Sequence, residues 1–100
     1  MNDTKWEEVR LAMASLGDPP PRWRARDLSG YLSPWDGEWF HHFRAGGYRT
    51  IEWVEIEVTS PTQGEAILSA LRAVHVPGER TAEGYRVFGR WAGNRPLHYL

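Results

Sequence analysis

The sequence predicts an α+β fold: a mainly antiparallel sheet of about five strands with two helices on one face, in the order α-β-β-β-α-β-β. Three observations carry this. Two segments repeat apolar residues at helical spacing behind capping signals. Several short runs alternate with period two or are rich in β-branched and aromatic residues. The links between consecutive strands are short, which favours hairpins and antiparallel pairing. With 100 residues and no internal repeat or linker, the chain is expected to form a single domain, 1–100.

The first helix is expected over about residues 5–16. Thr4-Lys5-Trp6-Glu7 has the spacing of a capping box, Trp6, Val9, Met13 and Leu16 form an apolar stripe, and Gly17 ends it. Asp18-Pro19-Pro20-Pro21 stops the helix and makes a stiff connector. Arg22 to Arg26 alternates and reads as a first strand with Trp23 and Ala25 on one face. A loop follows to the Asp36-Gly37 turn. Glu38 to Phe43 reads as a second, aromatic strand ended by Gly46-Gly47, and Thr50 to Val58 as a third.

Ser60-Pro61-Thr62-Gln63 is a second capping box with proline at its first helical position. Behind it Ile67, Ala70, Leu71 and Val74 mark the buried stripe of the second helix, which Pro77-Gly78 ends. Tyr85 to Trp91 alternates again, and Gly93-Asn94 turns the chain into a last strand from Leu97 to Leu100.

Composition narrows the function. Twelve Lys and Arg against thirteen Asp and Glu give a net charge of −1, unlike a generic nucleic-acid or membrane-surface binder. The absence of cysteine excludes disulfides, thiolate metal sites and a cysteine nucleophile. The amino terminus has no apolar run, and no stretch is long enough to span a bilayer, so the expected location is the cytoplasm.

No catalytic signature is present. His41 and His42 are neighbours on an expected strand and would face opposite ways, and His75 and His98 lie far off in sequence, so no metal-ligand spacing occurs. Asp36 and Glu38 flank Gly37 between Trp35 and Trp39, which invites comparison with a glycosidase carboxylate pair. Turn chemistry, with Asp36 bonded to backbone N–H groups and the tryptophans packed beside it, explains them better. No serine lies in a nucleophile-elbow context, Ser60 is already a helix cap, and Gly46-Gly47 lacks the remainder of a phosphate loop. The expectation is a non-enzymatic protein with no cofactor and no metal.

Parity within Thr50 to Val58 puts Val54, Ile56 and Val58 toward the helices and Trp53, Glu55 and Glu57 on the other face. Arg22, Arg24 and Arg26, with Arg86 and Arg90, are expected to form charge ladders there. A face without helix cover that carries tryptophan and arginine is a reasonable docking surface.

Two segments also look familiar: Gly30 to Phe43, containing Trp35-Asp36-Gly37-Glu38-Trp39, and Gly46-Gly47-Tyr48-Arg49-Thr50-Ile51-Glu52-Trp53-Val54-Glu55-Ile56. With Thr4-Lys5-Trp6 and His75-Val76-Pro77-Gly78, they resemble a family of small, stand-alone, uncharacterised bacterial proteins. The resemblance covers most of the chain and implies no reaction, so it assigns no residue a role. In size and build alone the chain is similar to immunity proteins of bacterial toxin systems.

The leading expectation is therefore a protein-binding module, in concrete form an immunity-type inhibitor of a toxin or enzyme with a basic site. Trp53 would be its anchor, Glu55, Glu57, Asp36 and Glu38 its charge partners, and Trp35 and Trp39 its flanking aromatics. The alternatives are a small-ligand or nucleotide-binding regulator using the loop from Trp35 to Trp39, and a weak nucleic-acid binder using Arg22, Arg24 and Arg26.

Overall fold

The computed structural model describes residues 1–89 and 99–100. Two helices, α1 (Asp3–Ala14) and α2 (Pro61–Val74), accompany four strands: β1 (Trp23–Asp27), β2 (Ile51–Glu57), β3 (Gly78–Arg80) and β4 (Gly84–Phe88). The strands form one antiparallel sheet in the order β1-β2-β4-β3. The α+β class and both helices thus stand, and the sheet has four strands among the described residues where about five were expected.

Helix α1 begins two residues earlier than its capping box implied. The side chain of Asn2, a stronger N-cap than threonine, accepts from the Lys5 N–H at 2.9 Å. Thr4 falls inside the helix, and Glu7 is released for other contacts. In α2 the Ser60 hydroxyl accepts from the Gln63 N–H at 3.1 Å as expected, while Gln63 Oε1 reaches back to the N–H and hydroxyl of Thr59. Its C-cap is His75, in the left-handed region at φ 64°. Trp6, Val9 and Met13 of α1 and Ile67 and Leu71 of α2 are fully buried against Val54, Ile56 and Val87 of the sheet.

The expected strand from Glu38 to Phe43 is not a strand. The chain makes consecutive turns there, because the Glu38 carboxylate accepts from the N–H groups of Phe40, His41 and His42 at 2.6–2.8 Å. A side chain satisfying successive orphan donors is what begins a helical turn and denies those donors to a sheet. Trp39 and Phe43, four residues apart, consequently point the same way into the core.

The three-residue β3 takes the place of the missing neighbour. It forms a hairpin with β4, in which the Thr81 N–H and Gly84 carbonyl bond at 2.8 Å. The Pro77-Gly78 pair that opens β3 reads in sequence only as a helix stop. Of the expected last strand, Tyr99 bridges Pro77 and the Leu100 N–H reaches the Val76 carbonyl, while Leu97 and His98 lie outside the described residues. So do Arg90, Trp91 and the Gly93-Asn94 turn.

Around this frame the loop after β1 runs back beside it. Trp23 and Asp36 exchange backbone hydrogen bonds at 2.8 Å, and the Ser33 N–H reaches the Ala25 carbonyl at 2.9 Å. Much of the β1 edge is therefore occupied by the chain's own loop, which limits strand addition there.

Candidate functional site

The sheet face away from the helices carries an Arg–Glu ladder whose order follows from strand register. Arg24 lies opposite Glu55, which in turn lies opposite Arg86, which lies opposite Glu79. Residues paired across antiparallel strands share a face, so alternation sets these charges together. Arg22 forks onto Glu57 at 2.7 and 2.8 Å, Arg24 contacts Glu55 at 2.7 Å, Arg26 contacts Glu52 at 3.1 Å, and Arg86 contacts Glu79 at 3.2 Å. The fork holds the Glu57 carboxyl below its ordinary value and raises Arg22. Glu52 belongs to this ladder although its parity matches Val54. A register irregularity between Arg26 and Asp27 accompanies that contact.

Aromatic rings hold the guanidiniums further. Trp35 lies against Arg24, 4.4 Å from ring centroid to guanidinium carbon, and Arg22 at 5.8 Å. Arg86 covers Trp53 at 4.1 Å. Such stacking restricts arginine rotamers before any partner arrives.

The expected docking residues divide sharply under this geometry. Trp53 and Glu55 keep the parity read from the sequence but are not outward: Trp53 is 9% exposed and Glu55 2%. Arg86 lies over the Trp53 ring and Arg24 pairs with the Glu55 carboxylate. Trp39 is core. It is 1% exposed, and its Nε1 donates to the Pro21 carbonyl at 2.8 Å. Asp36 caps the turn, its Oδ1 accepting from the Glu38 N–H at 2.8 Å, while its Oδ2 lies 2.8 Å from His42 Nδ1. Glu38 is spent on the three N–H groups above, and Trp35 is partly buried beneath the arginines.

The ladder has an asymmetry invisible in sequence. In three of its four pairs the arginine is the more exposed member, 53% against 16% for Arg22–Glu57, 26% against 2% for Arg24–Glu55 and 48% against 38% for Arg26–Glu52. The pair nearest the far edge, Arg86–Glu79, reverses this. The β1 side of the face therefore presents guanidinium groups to solvent over carboxylates that are already engaged.

Sequence reasoning also missed a network joining α1 to the turn region. Glu7 accepts from Arg10 at 2.6 Å and from the Tyr48 hydroxyl, with Arg44 at 3.5 Å. The Arg10 bond, then the Tyr48 hydroxyl, lowers the Glu7 carboxyl, while burial first and Glu7 second push the Tyr48 phenol up to about 12. Its one sequence signal is the i,i+3 spacing of Glu7 and Arg10.

Glu38 yields a prediction about acid stability. The His42, His41 and Phe40 N–H groups, His42 foremost, lower its carboxyl from 4.5 to about 2. Because the folded value is depressed, its contribution is complete above about pH 4.5 and is lost as pH falls toward 2. Urea midpoints measured between pH 5 and 2 are expected to fall more steeply for the unmodified chain than for Glu38→Gln. Parallel slopes would show that the carboxylate adds nothing to the turn.

Among the described residues no group of three or more His, Cys, Asp or Glu side chains is placed to hold a metal ion. In comparison with known families the chain matches a family of unknown function, DUF6678, whose model covers residues 1–93. The chain belongs to that family. No curated protein and no solved structure matches it.

Proposed function

We propose that this member of the DUF6678 family is a non-catalytic protein-binding module that docks through the β1 side of its ladder face. The observation supporting this is the row Arg22, Arg24 and Arg26, each ion-paired with a glutamate, with Arg22 and Arg24 also stacked on Trp35. Arginine and tryptophan dominate interface hot spots, and side chains already held in place lose less entropy on docking. The partner surface is acidic. Glu55 and Glu57, assigned from sequence to a basic partner, already accept from Arg24 and Arg22, so the outward chemistry is that of the guanidiniums.

In its concrete form the module is an immunity-type inhibitor in a bacterial cytoplasm, covering the working surface of a toxin or other enzyme. Size and build support that form, and in this reading the Trp35-to-Trp39 and Gly46-to-Ile56 segments are the family signature. No helix among the described residues is long and apolar enough to cross a membrane. A protein partner is preferred to nucleic acid because the ladder charges are mutually compensated and the whole chain is near neutral.

The test captures partners from the native host with the tagged chain, then titrates the purified partner against Arg22→Gln/Arg26→Gln. Affinity is expected to fall at least about tenfold, which is about 1.4 kcal/mol, with a nearly unchanged melt. Full affinity in a folded variant would place the interface elsewhere. Binding to mixed oligonucleotides with a steep salt dependence would replace the protein partner with a nucleic acid.

A further inference from the structure

A cavity of about 230 Å³ opens between the end of β1, the loop at 31–33 and the turns at 42–50. Trp23, Phe43 and Ile51 supply an apolar floor, and the Trp23 and Phe43 rings meet edge-on at 5.0 Å. Tyr31 stands at the rim, 61% exposed. Gly46 and Gly47, at φ 79° and 76°, also line it, and a Cβ on either would meet nothing within 4 Å. Backbone conformation, not crowding, thus requires these glycines, and they leave that side of the mouth free of side chains.

Two of the polar residues that line the cavity, His42 and Asp27, can offer acceptors. His42 Nδ1 lies 2.8 Å from the Asp36 carboxylate, so in the neutral ring Nδ1 donates and Nε2 is left as an acceptor. The bonds that Asp27, which also lines the cavity, makes to Ser29 and Tyr31 all use Oδ1, so its Oδ2 takes part in none of them. Among the described residues that line the cavity, the one arginine or lysine is Arg26, and it is paired with Glu52. A small aromatic-floored space with acceptors at its rim selects a flat ligand that offers N–H donors. Its volume, below that of sites for drug-sized molecules, suits one ring system.

We propose that this cavity binds a single planar heterocycle bearing an amino group, of the nucleobase class. The ring meets the small part of Trp23 and Phe43 that reaches the cavity, 6% and 3% of each residue being exposed, Tyr31 covers it, and His42 Nε2 and Asp27 Oδ2 accept from the ligand's N–H groups. The site differs from the Trp35-to-Trp39 loop expected in sequence to hold a small ligand, because none of residues 35–39 lines this cavity. The ligand contacts proposed here use none of the docking arginines, although Arg26 borders both the cavity and that face.

The probe pair is 9-methyladenine and 9-methylpurine, which differ only by the exocyclic amine. Titration of the full chain, followed by amide and indole resonances, is expected to show saturable shifts at Trp23, Gly46 and Gly47 with 9-methyladenine below about 1 mM. The purine is expected to bind about tenfold more weakly, and His42→Phe and Tyr31→Ala to weaken 9-methyladenine about fivefold or more. Thermal melts and amide spectra of both variants are the check that they are folded. Absence of saturable shifts, equal affinity for the two probes, or unchanged affinity in folded His42→Phe would each overturn the assignment.

Discussion

Trp39→Ala is expected to destabilise the protein by about 3–5 kcal/mol, as loss of a fully buried large aromatic does. Its ring packs 4.7 Å from Phe43 and 5.9 Å from Trp23, centroid to centroid. Phe43 is the hub of this group, also meeting the Trp6 and Tyr48 rings at 6.0 and 5.8 Å. Removing Trp39 opens a cavity at the hub and leaves the Pro21 carbonyl without the indole N–H it now receives. Domains of this size hold about 5–15 kcal/mol in all, so the variant would be marginal. Trp39→Phe separates the contributions: it retains most of the packing and loses the hydrogen bond, at a cost of about 1–3 kcal/mol. The measurement is a urea melt of each variant. A change below about 1 kcal/mol for Trp39→Ala would mean that this ring contributes to a surface, as the sequence led one to expect.

What could be read from sequence tracks how local the determining interaction is. Helix α2 has its cap, its proline and its stripe within one continuous segment, and its buried residues Ile67 and Leu71 follow from spacing alone. Strand β2 announces itself by β-branched alternation, and the parity of Val54 and Ile56 is correct. The segment after Gly37 fails because a single carboxylate decides it. Glu38 has poor intrinsic claim to start a helical turn in an aromatic run, yet three N–H bonds outweigh the β propensity of Trp39, Phe40 and Phe43. The face itself was legible through alternation, and the expected Arg–Glu pairing is present. Relative exposure within each pair was not, because it depends on how Trp35 lies under Arg22 and Arg24. That tertiary detail reverses the sign of the partner the face is proposed to fit.

Arg24→Met is expected to cost about 3 kcal/mol by leaving Glu55 as a nearly solvent-free carboxylate without its ion pair. The figure is at the low end for a broken buried pair for two reasons. Arg24 is itself about a quarter exposed, and Arg86 stands opposite Glu55 in register, although it is engaged by Glu79 and Trp53. Changing both partners, Arg24→Met/Glu55→Leu, removes the desolvated charge along with its mate, so most of the loss is expected to return. The resulting coupling between the two positions, about 2 kcal/mol, is read from a double-mutant cycle of urea melts. Ladder and docking face then come apart in one experiment. The double variant has a restored fold but lacks the central guanidinium stacked on Trp35, so its affinity for an acidic partner is expected to stay low while its melt recovers. If it is no more stable than Arg24→Met, the penalty does not come from an uncompensated Glu55. Recovery of binding together with stability would show that Arg24 serves the fold alone, leaving Arg22 and Arg26 to carry the interface.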